Sequence, residues 1–357
     1  MADKRALITG IRGQDAAYLA RLLLEEGCAV FGADKKSGDT TYWRLKRMGV
    51  FDDVRVVYMD MTDQANIIAT LEAVRPDEIY NLAAQSFVEN SFRQPLLTTD
   101  VNAAGTLRLL EAIRLTHLPA RFYQASSSEM YGASREIPQT ELTPFYPRSP
   151  YGVSKLFAHW ITVNYRESYT IHACCGILYN HESPLRNPEF VTRKITRAAA
   201  RIARGLQDEL VMGNIDVRRD WGFAGDYADG IRRIMRHPVP DDYILATGES
   251  HSIREFIDEA FAAAGIDIDW EGTGASARGV ERKTGRAIVR VSDEFFRPAD
   301  IAIVQGDAAK ARTVLGWEPR VAFRELVRLM VESDLREADE DRAQGDGASG
   351  ASRSHPR

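Results

Sequence analysis

A phenol and an ammonium sit four residues apart in Tyr151-Gly-Val-Ser-Lys155. On a helix that spacing puts both on one face, one turn apart. A lysine beside a tyrosine stabilises the phenolate, so the phenol can take a proton from a hydroxyl near neutral pH. Such pairs also arise by chance, and the context gives this one its weight. Just upstream, an apolar run ends in Gln124-Ala-Ser-Ser127-Ser128-Glu129-Met-Tyr-Gly132. Ser127 suits hydrogen bonding to a reacting hydroxyl. Serine, tyrosine and lysine together suffice to move a proton while a hydride leaves. Removal of water needs a further base for the proton beside a new ketone, and an acid for the departing hydroxyl. Glu129 supplies that carboxylate; its other reading is a solvated loop residue.

Hydride chemistry needs a carrier, and the N-terminus offers a place for one. The apolar run Ala6–Thr9 leads into Gly10-Ile-Arg12-Gly13-Gln14-Asp15-Ala16, and a helical pattern follows. A diphosphate must approach backbone N–H groups at a helix N-terminus, so side chains there must be small or absent. Gly10 permits the turn, Gly13 the close approach, and Ala16 the packing of helix on sheet. The spacing differs from the Gly-x-Gly-x-x-Gly fingerprint of other dinucleotide-binding loops. The next apolar run ends at Asp34, followed by Lys35 and Lys36. An acid there accepts ribose hydroxyls and favours NAD; basic residues there favour the 2′-phosphate of NADP. The sequence carries both signals.

These groups need a scaffold that gathers strand ends. Short apolar runs at Ala6–Thr9, Ala29–Ala33, Val54–Met59, Glu78–Ala83, Phe122–Ser126 and Ile171–Tyr179 alternate with helical patterns at Asp15–Glu26, Gln64–Val74, Val101–Arg114 and Tyr151–Ser168. That alternation predicts an α/β fold, a Rossmann-type doubly wound parallel sheet with helices on both faces. The C-terminal half predicts a smaller α+β substrate-binding domain, with helices near Val191–Gly205, Gly225–Arg236, Ile253–Ala264 and Ala308–Leu315 and a short strand Tyr243–Ala246. The expected division is 1–180 mainly dinucleotide-binding, 181–335 mainly substrate-binding with interleaved segments, and a disordered tail at 336–357. Gly272–Arg290 reads as a mobile surface loop.

Composition excludes several classes. Of 357 residues, 44% are hydrophobic and 27% charged, with a net charge of −5. That balance gives no footprint for nucleic acid or an anionic membrane. No apolar run reaches the roughly 20 residues of a membrane span, and without a basic then apolar stretch before the first strand no signal peptide is expected. Cys28, Cys174 and Cys175 show no Cys-x-x-Cys pattern and read as buried thiols of a cytoplasmic protein. The histidines show no metal-ligand spacing, so no metal site is expected.

With these residues in place, the chain resembles the extended short-chain dehydrogenase/reductases, and among them the GDP-mannose 4,6-dehydratases. The likeness runs through Ala6–Tyr18, Tyr80–Val88, Arg121–Gly132, Thr143–Lys155, Gly176–Pro184, Arg219–Tyr227 and Phe295–Pro298, and extends to about Leu335. It implies Ser127, Glu129, Tyr151 and Lys155 as the catalytic set, with Ser127 where the family more often has threonine. It implies cofactor contacts at Gly10 through Asp15, Asp60, Leu82, Ala84, Ser86, His181 and Arg186, alongside the Asp34, Lys35 and Lys36 already read from their place at a strand end. Substrate contacts are implied at Ser86, Ser128, Asn180, Lys194, Arg219, Arg297 and Asp300. The implied cofactor is NADP, with NAD kept open by Asp34, which stands where the family usually has no acid. Leu97 and Leu185 replace a tyrosine and an arginine of the family pattern, and Asp300 replaces a glutamate.

The implied partner is a GDP-sugar, in a homo-oligomer, dimer or tetramer, with subunits meeting around Lys35–Arg44. GDP-heptose is the alternative sugar substrate. A reductase or epimerase would leave Glu129 unexplained, and a non-catalytic dinucleotide sensor would leave the whole Ser, Glu, Tyr, Lys set unexplained.

Overall fold

The computed structural model describes residues 4–35, 41–295 and 301–351. The chain divides into two compact units. The first comprises Met1–His181, Asp220–Glu249 and Val304–Arg320, and the second Glu182–Arg219, Ser250–Ile303 and Val321–Arg357.

The first unit is built on a seven-stranded sheet. Its strands are β1 (Arg5–Thr9), β2 (Ala29–Asp34), β3 (Arg55–Tyr58), β4 (Glu78–Asn81), β5 (Arg121–Ser127), β6 (Ala173–Leu178) and an outer strand, Asp242–Leu245. The order across the sheet is β3-β2-β1-β4-β5-β6-outer, and every pairing is parallel. These strands are nearly continuous apolar runs because helices cover both faces. On one face Leu7, Ile79 and Phe122 pack with Ile67, Leu71, Leu109, Leu110 and Ile113 from the helices Gln64–Val74 and Gly105–Leu115. On the other, helix α1 (Gln14–Glu25) packs against the helix Ala224–Arg236. The strand order reverses between β1 and β4, and a sheet of this kind opens a crevice at that point, beyond its strand ends.

The outer strand shows where segments of the two units interleave along the chain. Residues 220–249 and 304–320 return to the first unit rather than joining the second. The reason is local: the apolar Tyr243–Leu245 finds its ladder beside β6, pairing Tyr243 with Gly176 and Leu245 with Leu178.

The second unit holds a four-stranded sheet of Ile268–Glu271, Arg278–Glu281, Ala287–Val291 and Leu210–Met212. Its helices Val191–Ala203, Ile253–Ala263 and Phe323–Ala351 pack together. Ser252 and Glu255 form a reciprocal capping box on Ile253–Ala263. Within Gly272–Arg290, expected as a mobile loop, Arg278–Glu281 and Ala287–Val291 are antiparallel strands. Cross-strand ion pairs Arg278–Glu271 and Arg282–Asp269 use the charges that masked the alternation. Of the tail expected to be disordered at 336–357, the part to Ala351 continues the last helix, and 352–357 lie outside the described residues. Ala338 is buried, and Glu337, Asp339 and Asp341 pair with Arg193, Arg204 and Arg201.

The turn after β1 depends on one residue. Gly10 has φ +69°, and a Cβ there would lie 2.9 Å from the Ala83 backbone. A Gly10→Ala variant should lose about 1–3 kcal/mol from backbone strain alone, and more from the clash. A thermal midpoint equal to wild type would contradict this.

Candidate active site

The strand ends of the first unit are held by a buried polar node. Thr9 Oγ1 donates to Asn81 Oδ1 at 2.8 Å and accepts from the N–H groups of Leu82 and Ala83 at 3.0 Å each. Asn81 Nδ2 donates to Gln124 Oε1 at 2.7 Å. The backbone leaving β4, which carries Leu82, Ala84 and Ser86, is thereby fixed to the turn that carries Gly10. Gly13 is the N-cap of α1 and offers no side-chain cap. An outside anion is thus the fitting partner for first-turn N–H groups.

Around this loop lie most of the expected cofactor residues. Gln14 Nε2 donates to the His181 carbonyl at 2.8 Å, and His181 Nε2 meets Asp15 Oδ2 at 2.9 Å. The His181 ring stacks on Tyr227 with centroids 4.5 Å apart. Asp60, at the end of β3, accepts from the Thr62 N–H and hydroxyl, which holds its carboxyl below the usual range. Asp34 is buried, with Oδ1 3.1 Å from Arg12 Nε and Oδ2 accepting from the Tyr42 hydroxyl at 2.8 Å. Lys35 follows it, exposed; Lys36 lies outside the described residues.

The catalytic candidates meet at the end of β5. Ser127 caps a short 3₁₀ turn, Ser128–Met130, its Oγ accepting from the Glu129 N–H at 3.2 Å. The helix Pro150–Tyr169 begins beside that turn. Ser149 caps it by accepting from the Gly152 N–H at 3.0 Å, and Pro150 stands in its first turn, a position where proline's missing N–H does no harm. Gly152 is required: a Cβ there would lie 2.6 Å from the Glu129 carbonyl oxygen. The backbone contact it permits brings Ser127, Glu129, Tyr151 and Lys155 into one neighbourhood.

Lys155 is 4% exposed, and its Nζ donates to the Ala125 carbonyl at 2.9 Å. Burial pushes its pKa down to about 8, against the field of Asp15, which raises it. The same Nζ lies 5.8 Å from the Tyr151 ring centre. This arrangement can hold a cation under a phenol while a hydroxyl and a carboxylate stand on the adjoining turn.

A residue without an obvious sequence signal completes the support. Asn102, buried in a π-helical turn (Asp100–Ala104), accepts from the Gln85 N–H at 2.8 Å and donates to Ser154 Oγ at 3.1 Å. Ser154 Oγ donates to the Tyr151 carbonyl at 2.7 Å. An asparagine inside Val101-Asn-Ala-Ala was the available cue, since a buried amide needs partners.

Among the described residues, His159, Cys175 and Asp242 bring ligand-type atoms within 4.8 Å of one another. Asp242 already takes Arg166 in a fork at 2.9 Å on each oxygen, and His159 Nδ1 contacts Ser126 Oγ at 3.0 Å. Those bonds and the guanidinium make it a structural cluster.

The remaining candidates are placed as follows. Asn180 opens a short strand, Asn180–Glu182. In the second unit, Arg186 pairs with Glu182 at 3.1 Å and lies 3.6 Å over the Phe190 ring. Lys194 Nζ donates to the Val211 carbonyl at 2.7 Å, and burial lowers its pKa. Arg219 Nη1 donates to the carbonyls of Arg218 and Ile301 at 2.9 and 2.7 Å. Arg297 and Asp300 lie outside the described residues.

The family model for GDP-mannose 4,6 dehydratase matches residues 7–330. A GDP-mannose 4,6-dehydratase of Sinorhizobium fredii is 49% identical over 345 residues, covering 94% of this chain and 98% of that protein. Among solved structures, a dTDP-glucose 4,6-dehydratase from Streptomyces venezuelae with NAD and TYD bound aligns with TM-score 0.78 at 22% identity, covering 93% of this chain and 97% of the other. RMD from Pseudomonas aeruginosa, complexed with NADPH, aligns with TM-score 0.73 at 23% identity, covering 93% and 99%. The structural likenesses speak for the fold. The sequence match, near half identical along almost the full length, makes this chain a member of the GDP-mannose 4,6-dehydratase family.

Proposed function

We infer that the protein converts GDP-mannose to GDP-4-keto-6-deoxymannose, as a hydro-lyase with a resident nicotinamide cofactor. The observation that carries this reading is Glu129 on the turn after β5, its backbone carbonyl held against the first turn of the helix that bears Tyr151 and Lys155. The glycine loop and the uncapped start of α1 fit a dinucleotide. When bound, the nicotinamide supplies the acceptor for the C4 hydride and its return to C6.

The side chains do the rest. Tyr151 takes the proton of the C4 hydroxyl, and Ser127 hydrogen-bonds the same oxygen. Lys155 stabilises the tyrosinate and orients the nicotinamide ribose. The C4 ketone acidifies the C5 proton, which Glu129 removes; the same carboxyl then protonates the leaving C6 hydroxyl, and C5 is reprotonated as the hydride reaches C6, with Tyr151 giving up the proton it took. Arg186, Lys194 and Arg219 are the cations of the second unit suited to phosphates and the nucleotide, guanidinium matching phosphate oxygens two at a time. The cofactor is read as NADP.

We also place the protein in the cytoplasm and read it as a homo-oligomer. Cys28, Cys174 and Cys175 are buried free thiols, which fits a reducing compartment. No helix among the described residues is long and apolar enough to cross a membrane. Val153, Phe157 and Trp160 form an exposed stripe on one face of the Pro150–Tyr169 helix. Leu96 and Leu97 are exposed on the short helix Pro95–Thr99 packed against it. A stripe at i, i+4, i+7 on a long helix can pair with its own copy across a two-fold axis.

Four outcomes are expected. Purified protein given GDP-mannose without added cofactor should release product lighter by one water, at turnover far above the bound dinucleotide. Glu129→Gln should lower kcat by about 10²–10⁴-fold, with reduced nicotinamide absorbance persisting; an unchanged product rate would sink the assignment. In the pH profile, kcat/KM should fall as pH rises through about 8, where Lys155 loses its proton. Lys155→Arg, charged throughout, should be slower but lack that alkaline limb. Phe157→Glu with Trp160→Glu should give a smaller species by light scattering than wild type, and equal masses would refute the stripe as the interface.

A further inference from the structure

The acid at the end of β2 ordinarily accepts the ribose hydroxyls of a dinucleotide and repels a 2′-phosphate. Asp34 stands at that position, but its carboxylate is engaged on both oxygens. Oδ1 faces Arg12 Nε at 3.1 Å, Oδ2 accepts from Tyr42 at 2.8 Å, and only 5% of the side chain is exposed. Arg12 belongs to the glycine loop itself, between Gly10 and Gly13, and its side chain is one-third exposed. The pair therefore ties the diphosphate loop to the strand that flanks the adenosine ribose.

Two further features hold this arrangement. Tyr42 has φ +47°, a backbone region that a bulky side chain enters only under constraint. Its ring stacks on Phe51 at 5.4 Å while its hydroxyl holds Asp34. Arg44 Nη1 donates to the Arg12 carbonyl at 2.8 Å, and its guanidinium lies 4.4 Å over the Trp43 ring. Among the described residues, Asp34 is covered by Arg12, while Lys35 is exposed and acts on the Asp60 carboxylate.

We propose that Arg12 determines cofactor selectivity, by covering Asp34 and presenting its guanidinium to the 2′-phosphate of the dinucleotide. An acid that would select an unphosphorylated ribose becomes the anchor of the cation that rejects it. Arg12 thereby answers the conflict between Asp34 and the following lysines that the sequence leaves open. The inference rests on the reading of NADP as the resident cofactor.

The test is binding, read separately from turnover. Dissociation constants for NADP⁺ and NAD⁺ are measured by titration on the full-length protein, stripped of its dinucleotide, for wild type, Arg12→Ala and the Arg12→Ala/Asp34→Asn double variant. Wild type should prefer NADP⁺. Arg12→Ala should reduce that preference by about tenfold or more, since a charge-assisted phosphate contact is lost. NADP⁺ should bind more weakly and NAD⁺ more tightly, because the uncovered carboxylate takes the ribose hydroxyls. The double variant leaves no unpaired carboxylate, so it guards against misfolding in the single variant. It should lose NADP⁺ affinity without gaining NAD⁺. A wild type that prefers NAD⁺ would overturn the NADP reading. A wild type that prefers NADP⁺, with the ratio unmoved in either variant, would overturn the role of Arg12 alone.

Discussion

A buried ammonium with a carbonyl rather than a carboxylate for its hydrogen bond is the constraint around which the first unit is arranged. Lys155 sits at 4% exposure with Nζ on the Ala125 oxygen. Burying a cation is unfavourable unless its donors are satisfied, and here the desolvation shows as a pKa lowered to about 8. A direct carboxylate partner would hold the ammonium charged at any ordinary pH and draw its field away from the phenol. A carbonyl satisfies a donor without cancelling the charge. That requires β5 to end beside the helix, and the helix to start against the turn that follows β5. The Gly152–Glu129 backbone contact is the geometric consequence.

The same demand explains the polar side chains at the strand ends, where an apolar core would otherwise be expected. Thr9 meets Asn81, Asn81 meets Gln124, Thr106 donates to the Asn102 carbonyl at 2.8 Å, and Asn102 reaches Ser154 under Tyr151. Buried networks of this kind are favourable only when their members are satisfied, and they then fix one arrangement rather than several. This chain of amides and hydroxyls runs from the turn that carries the glycine loop to the helix that carries the phenol. The spacing between the two therefore does not depend on loop conformation. Apolar packing alone would locate the helix but would set its register along the sheet less sharply.

The sequence made the parallel sheet legible because each strand is a short apolar run followed by a helix of clear period. Gln64–Val74 falls where the periodicity put it. What it hid was whatever depends on partners distant in the chain. The Arg12–Asp34 pair exists because β1 and β2 are adjacent and parallel, so the two residues project from neighbouring strand ends. Read alone, Asp34 argued for one cofactor and Lys35 for the other. The pairing of Ile268–Glu271 with Arg278–Glu281 was obscured by charges that meet only across strands. The helix beyond 336 looked disordered for a similar reason, since its acids are matched by arginines of the Val191–Ala203 helix and the residue after it.

The solved structures that share this fold near 22% identity include both 4-epimerases and a 4,6-dehydratase. Sheet order and Rossmann-type scaffold therefore leave the reaction undecided, which is the general condition of a widely used fold. A phenol over a buried ammonium serves any reaction that oxidises a sugar hydroxyl. The difference must arise after the ketone has formed, when the C5 proton is at its most acidic. Whether it is removed depends on a base within reach at that moment. Glu129 stands one residue beyond Ser128, on a turn whose position is set by backbone contacts with Gly152 and by the Ser127 cap. On the mechanism proposed above, that one carboxylate on its fixed turn directs a shared oxidation toward loss of water.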